Sequence, residues 1–294
     1  MKKEYLFAGV SIFCWSTVAT ITKLLLGTYN NFQVLWISAF FAGLFLLGVN
    51  LITGNIRKLK EFRPKDYLIS MAIGFPGTFL YYVFYYAGTA QMPASQAFIV
   101  NYLWPIMSVV FACIVLKQKL TVKKAAAILL SFLGVGISMA DRFGNMDQNF
   151  LLGAIFCALG AVSYGVFTAF NTKFGYDKRI SMMLNYGVTF VITSIINWVN
   201  GDLFIPSAIQ CLGFAWNGMF TMAVAATLWV MALRIGKTEK ISNLAYITPF
   251  VSMLWTALIL HEKITVYSIV GIVVIVSGVL LQMSKSKNKI TVKG

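Results

Sequence analysis

The chain has 294 residues, of which 59% are hydrophobic and only 11% are charged, and its mean hydropathy is +0.79. A soluble domain is about half apolar and a quarter charged, so this composition excludes a water-soluble globular protein. The formal net charge of +15 raises the alternative of a nucleic-acid-binding protein, which the positions of the basic residues can test.

Ten segments are long and apolar enough to be transmembrane helices, each of which needs about 20 mainly apolar residues. The first is too long for the core of a cleavable signal and has no small-residue cleavage site, so we interpret it as a retained helix. In chain order the predicted helices span residues 5–26, 32–52, 67–88, 95–116, 122–140, 150–170, 182–200, 211–233, 240–260 and 266–283. The predicted fold class is therefore an all-α membrane protein.

The basic residues alternate between successive loops. All but three of the 24 Lys and Arg residues lie in the two tails or in every second loop, the exceptions being Lys23, Arg142 and Lys263. Because basic residues concentrate on the cytoplasmic side of a membrane, the pattern predicts an inner-membrane protein with both termini in the cytoplasm. A soluble nucleic-acid-binding protein would not show this alternation, so we expect no nucleic-acid partner.

An internal repeat covers the last two helices of each half. A shift of 144 residues aligns residues 102–139 with residues 246–283 without a gap, and eleven of the 38 pairs are identical. The alignment predicts two repeats of five helices, residues 1–145 and 146–294. Since five is odd, the second repeat is inverted, an arrangement that transporters use for alternating access. A duplicated bundle without transport activity is the alternative.

Broken helices with polar and aromatic side chains are typical of a solute site at the membrane midplane. The third helix is interrupted at Pro76, and Pro105 and Pro249 are symmetry-related kinks in the fourth and ninth. Helix bending for packing is the alternative for these kinks, and an interfacial tyrosine belt is the alternative for Tyr85. The candidate substrate-binding residues are Trp15, Tyr81, Tyr82, Tyr85, Asn101, Tyr102, Trp104 and Tyr164.

All nine acidic residues fall in loops or at helix ends. Proton-coupled cation exporters generally keep a carboxylate at the membrane centre, so recognition here is predicted to rest on aromatic stacking, cation–π contacts and neutral hydrogen bonds. We interpret Lys23 as an interfacial anchor, with pairing to a substrate carboxylate as the alternative. We interpret His261 and Glu262 as a solvated helix end, with a gate or relay as the alternative.

Other chemistry finds little support in the sequence. The four cysteines lack metal-ligand spacing, and we expect neither a metal site nor a cofactor. An enzyme is not predicted, because no acid pair or His lies at membrane depth to serve catalysis. The expected partners are the lipid bilayer and a small-molecule solute, and the expected functional unit is a monomer.

Short motifs resemble those of the EamA family of the drug/metabolite transporter superfamily. These are Leu-Trp-Pro within residues 100–105 (VNYLWP), Trp-Ser-Thr at residues 15–17, and the two-fold repeat. VNYLWP, CWST at residues 14–17 and Asn-Thr-Lys at residues 171–173 further resemble the aromatic amino acid exporter subgroup.

The resemblance implies ten helices around a central cavity and export of amino acids or related metabolites. The aromatic residues that it places in the cavity are Tyr81, Tyr82, Tyr85, Tyr102, Trp104 and Tyr164. The position of Tyr164 is commonly Trp in the subgroup, which leaves the size preference of the pocket open. Nucleobases, sugars or organic cations are alternative cargoes, and a receptor or structural role is the alternative to transport.

Overall fold

The computed structural model describes residues 2–142, 147–174, 176–236, 241 and 244–283. The predicted repeat boundary at residues 145 and 146 lies outside the described residues. So do the start of the ninth helix at residue 240 and the basic residues at 237, 240 and beyond 283. The described residues are almost entirely helical and contain no strand, so the predicted all-α class is confirmed.

Within the described residues each predicted segment overlaps one helical stretch, and we number these helices α1 to α10 in chain order. Their bounds are Lys3–Leu26, Asn31–Ile52, Pro64–Gln91, Ala94–Val115, Val122–Ser138, Gln148–Lys173, Lys178–Val199, Ala208–Ile235, Ala245–Leu260 and Val266–Met283. Seven of them, α1–α4 and α6–α8, are long and apolar enough to cross a membrane. By contrast, α9 and α10 are shorter apolar helices, and α5 has 17 residues.

Polar residues at the loop ends determine where several helices begin. Asn30 and Gln33 form a capping box at the start of α2, with 2.9 Å from Gln33 N to Asn30 Oδ1. Asp147 accepts a hydrogen bond from Phe150 N at the start of α6 (2.7 Å). These side chains satisfy N–H groups that have no partner within the helix.

Two of the long helices contain a stretch of π-helix in their middle. In α3 it spans Phe75–Leu80, with Pro76 in its first turn, and in α8 it spans Trp216–Val224. In each stretch a threonine hydroxyl donates to the carbonyl four residues earlier, Thr78 to Gly74 and Thr221 to Asn217. The hydroxyl thus bonds a carbonyl where the regular pattern of helix hydrogen bonds is interrupted.

Further breaks lie in α1, α4 and α9. In α1 the α-helix is interrupted at Thr17, whose hydroxyl donates to Cys14 O (2.8 Å). The α-helix of α4 is interrupted at residues 102 and 103 and resumes at Trp104, so Pro105 lies in the first turn of its second half. The α9 helix begins with a 3₁₀ turn, Ala245–Ile247, and Pro249 lies in the first turn of the α-helix that follows. A first-turn proline costs no helix hydrogen bond.

The helices α2 and α7 run antiparallel and exchange equivalent hydrogen bonds at their two ends. Asn50, near the end of α2, donates to Arg179 O near the start of α7 (3.4 Å). Asn197, near the end of α7, donates to Phe32 O near the start of α2 (3.3 Å). Exchanging the two helices therefore reproduces the same pair of contacts.

Glycines bring α5 and α10 together, also in antiparallel orientation. A Cβ added to Gly134 would lie 2.6 Å from Gly271 O, and one added to Gly271 would lie 2.6 Å from Gly134 O. Nearer the other ends, a Cβ on Gly278 would lie 3.0 Å from Ala127 O. Small residues permit this close backbone approach in membrane helix pairs.

The loops divide the bundle into two ends. We call the end with residues 53–63, 116–121, 174 and 176–177 the basic face, and the end with residues 27–30, 92–93, 200–207 and 261–265 the opposite face. On the basic face Lys58 pairs with Asp177. Partial burial raises the pKa of Asp177, but hydrogen bonds from Lys58, Asn55 and Ile180 N outweigh this effect and lower the pKa to about 2.

A substitution at Gly218 tests the close packing of the α8 π-helix against α2. A Cβ at Gly218 would collide with the backbone of Ser38, so Gly218→Ala is expected to cost about 1–3 kcal/mol through overpacking and to lower the melting temperature in detergent. Gly187→Ala is the matched control, because a Cβ there meets no atom within 4 Å. Equal melting temperatures for the two variants would contradict this packing.

Candidate solute site

A ladder of tyrosine rings runs along α3 directly after its π-helix. The ring centroids of Tyr81 and Tyr85 lie 6.0 Å apart with nearly parallel planes, and those of Tyr82 and Tyr86 lie 5.6 Å apart. Residues four apart share a helix face, so the ladder presents two adjacent columns. Tyr85 and Tyr86 are fully buried, whereas Tyr81 and Tyr82 keep some exposed surface. The deep position of Tyr85 argues against an interfacial belt.

Rings from α4 and α6 extend the ladder across the bundle. The centroid of Tyr164 lies 5.0 Å from that of Tyr81 and 5.2 Å from that of Trp104, with an edge-on angle of 77° to the indole. Gly160 makes this approach possible, since a Cβ there would lie 3.3 Å from Tyr81 O. Three helices therefore contribute to one ring cluster, which we define as Tyr81, Tyr82, Tyr85, Trp104 and Tyr164.

Asn101 supplies a polar group beside these rings. Its Nδ2 donates to the Tyr81 hydroxyl at 2.9 Å, while its buried Oδ1 has no hydrogen-bond partner among the described residues. An unpaired buried carbonyl oxygen costs about 1–3 kcal/mol. A solute with an N–H donor would remove that cost, so the cluster combines apolar faces with one free acceptor.

A second polar group connects the ladder to α8. Asn217, in the π-helix of α8, donates to the Tyr86 hydroxyl (2.7 Å) and to Ser38 Oγ (3.0 Å). The Tyr82 hydroxyl lies 3.5 Å from that of Tyr186 on α7. Sequence analysis missed Asn217 and Tyr186, although an Asn in the middle of an apolar segment is itself a signal of function.

Two sequence-predicted site residues make other contacts. Trp15 packs against Trp229 of α8, with ring centroids 5.4 Å apart. Tyr102 is buried, and its hydroxyl donates to Ala245 O at the start of α9 (3.1 Å). Tyr102 thus joins the break in α4 to the equivalent region of α9.

A cleft of about 290 Å³ opens near the basic face. It lies between α4, α5, α9 and α10, and Pro105, Ser108, Gln118, Lys124, Tyr246 and Gln282 are among the residues that line it. Pro105 lines this cleft and follows Trp104 of the ring cluster in sequence.

Together, the apolar helices, the broken backbone and the uncharged interior cluster define a multi-pass membrane transporter. The chain belongs to the EamA-like transporter family, whose model matches residues 2–140 and 151–284. This match confirms the family resemblance of the sequence motifs.

The relatives are distant in sequence but extensive in coverage. The chain is 26% identical over 261 residues to "Uncharacterized transporter YvbV" of Bacillus subtilis (strain 168), covering 83% of this chain and 80% of that protein. It is 24% identical over 188 residues to "Aromatic amino acid exporter YddG" of Ancylobacter novellus, covering 62% and 64%. A solved crystal structure matches with a TM-score of 0.68 at 18% identity over 95% and 96% of the two chains, which shows a shared fold.

The hydrogen bond between Asn101 and Tyr81 can be tested by stability. Tyr81→Phe keeps the ring but removes the acceptor of Asn101 Nδ2, which leaves a buried N–H unpaired and is expected to cost about 1–3 kcal/mol. The thermal melting temperature in detergent reports this loss. Tyr5→Phe is the control, since Tyr5 is 38% exposed; a Tyr81→Phe protein as stable as this control would contradict the contact.

Proposed function

We propose that the protein exports aromatic or other neutral amino acids, and related small metabolites, across the inner membrane by alternating access. The observation that carries this proposal is the uncharged ring cluster with the free Asn101 oxygen between α3, α4 and α6. Aromatic rings bind a flat apolar side chain, and an amide oxygen accepts from an ammonium group.

The break in α4 supplies a place for the substrate carboxylate. The second half of α4 begins at Trp104, inside the ring cluster. A helix N-terminus carries unpaired N–H groups and a partial positive charge, and half-helices that begin at the midplane bind anionic substrate groups in other transporters. We assign the carboxylate to this N-terminus, which requires no charged side chain.

All ten helices cross the membrane in this proposal, as two inverted repeats of residues 1–145 and 146–294. The basic face is cytoplasmic, so both termini are inside. Support comes from α2 with α7 and from α5 with α10, because the equivalent helices of each pair are antiparallel. Helices related by an axis along the membrane normal would be parallel.

The two π-helices are the flexible points of the proposed cycle. They lie in equivalent helices, α3 and α8, and a π-helical stretch often marks a functional site. The ring ladder follows the first of these stretches. A change in helix direction there would move the tyrosines relative to Tyr164 and open the cluster toward one face or the other.

The cargo class draws support from the name of one relative, an aromatic amino acid exporter. Nucleobases, sugars and organic cations are the other cargoes that an uncharged aromatic site accepts. We propose that a monomer carries out the transport, since the ring cluster is assembled within one chain.

Flux measurements test the function directly. Proteoliposomes containing the protein are expected to show saturable uptake of radiolabelled phenylalanine and tryptophan. Trp104→Ala is expected to lower this uptake about tenfold or more. A tenfold loss corresponds to about 1.4 kcal/mol of binding free energy. Phe132→Ala on α5 is the control, because this ring is 50% exposed on the outside of the bundle. Absence of flux for a broad amino-acid panel would contradict the proposed cargo, and competition by nucleobases, sugars or organic cations would identify another.

Tyr164 is expected to determine the size of the accepted side chain. Tyr164→Trp enlarges a ring already 5.2 Å from Trp104 and leaves less room for a bulky substrate. The ratio of phenylalanine to tryptophan flux should rise about tenfold, the discrimination that a small change in pocket volume can give. An unchanged ratio would place the substrate side chain elsewhere.

A further inference from the structure

Glu262 binds the start of α4 on the opposite face. One carboxylate oxygen accepts from Ala94 N (2.6 Å), and the other accepts from Ser95 N (2.9 Å) and Ser95 Oγ (2.6 Å). A carboxylate on a helix N-terminus forms charge-assisted hydrogen bonds with N–H groups that otherwise lack partners. The sequence-based interpretation of Glu262 as a solvated helix end is therefore wrong.

Lys23 binds the end of α3 in the same region. Its ammonium group donates to the carbonyl oxygens of Thr89 (2.7 Å), Met92 (2.9 Å) and Ala90 (3.3 Å). These three bonds account for all three N–H donors of a lysine. Lys23 is thus neither a free interfacial anchor nor available to a substrate carboxylate in this conformation.

The two charged groups on the opposite face come from different parts of the chain. Lys23 joins the end of α1 to the end of α3. Glu262, in the connection between α9 and α10, joins that connection to the start of α4. Their sites are adjacent, because residues 89–92 and 94–95 flank the short connection between α3 and α4. Opposite charges at such a site reinforce each other, so the second repeat is tied to the first on this face.

The equivalent position on the basic face lacks this charge. The shift of 144 residues that aligns the repeats places Gln118 on Glu262. Gln118 is neutral, and its Oε1 accepts from Lys124 Nζ (3.0 Å). Gln118 and Lys124 both line the 290 Å³ cleft, so a neutral amide beside a cleft takes the place on the basic face that the carboxylate has on the opposite face.

We propose that Glu262 is the latch of the outer gate: its hydrogen bonds to Ala94 and Ser95 hold the opposite face closed while the cleft on the basic face is open. Breaking these bonds is the step that opens the site to the outside. The Lys58–Asp177 ion pair of the basic face joins other loops, and Gln118 provides no carboxylate at the position that matches Glu262. In the proposed cycle the resting protein therefore faces the side from which an exporter takes up its substrate. This inference rests on the proposed alternating-access function, but not on the identity of the cargo.

Thiol accessibility in sealed vesicles tests the latch. The reporter is Tyr82→Cys in a chain whose four native cysteines are replaced, labelled from each side with a membrane-impermeant maleimide. Glu262→Gln in this chain is expected to raise the labelling rate from the opposite face roughly tenfold, which is the effect of losing one charge-assisted hydrogen bond. The same variant is expected to lower the labelling rate from the basic face. Ser95→Ala, which removes one of the three donors, should give a smaller rise.

Lys263→Ala is the matched control, since Lys263 is the exposed neighbour of Glu262 in the same connection. Size-exclusion chromatography establishes that each variant is folded. Equal labelling in Glu262→Gln, Ser95→Ala and the unmodified reporter chain would overturn the latch, as would an equal rise in Lys263→Ala. The assay needs no substrate, so a failed latch is distinguishable from a wrong cargo.

Discussion

A peptide group in hydrocarbon has no water to bond, so the protein itself must satisfy every break in a membrane helix. The described helices obey this constraint at their interruptions. Threonine hydroxyls bond carbonyls within the two π-helical stretches, and Tyr102 bonds the backbone where α9 begins. The two π-helical stretches and the break in α4 contain buried residues, and aromatic and amide side chains collect beside them. Site and fold follow from the same requirement.

The interior cluster is polar without being charged, and this property shapes the proposed mechanism. Asn101 and Asn217 each donate to a tyrosine of α3, one at each end of the ladder. In the proposed mechanism a solute is therefore recognised by rings and amides rather than by ion pairing. The charged side chains Glu262 and Lys23 lie at one end of the bundle, where they bind the start of α4 and the end of α3. In this proposal the neutral ring cluster binds the solute, whereas the charged Glu262 determines whether the opposite face is open or closed. The two tasks therefore rest on different residues.

The sequence predicts the helices well, because hydropathy measures how well a segment partitions into lipid, and each membrane helix must do so. The i, i+4 spacing of Tyr81 and Tyr85 also predicts that they share a helix face. The sequence does not predict contacts between distant segments. Asn217 and Tyr86 are 131 residues apart, and nothing in either helix indicates that they meet. The same holds for Glu262, whose partners Ala94 and Ser95 lie 168 and 167 residues away along the chain. Trp15 was predicted on its residue type, yet its nearest ring is Trp229.

The central claim is that a solute occupies the uncharged ring cluster between α3, α4 and α6. An electron cryo-microscopy structure in the presence of saturating phenylalanine tests it most directly. The account predicts density for the phenylalanine ring among Tyr81, Trp104 and Tyr164, with the ammonium group within hydrogen-bonding distance of Asn101 Oδ1. A ligand bound elsewhere while the cluster keeps its closed packing, or a map in which these rings face lipid, would contradict it.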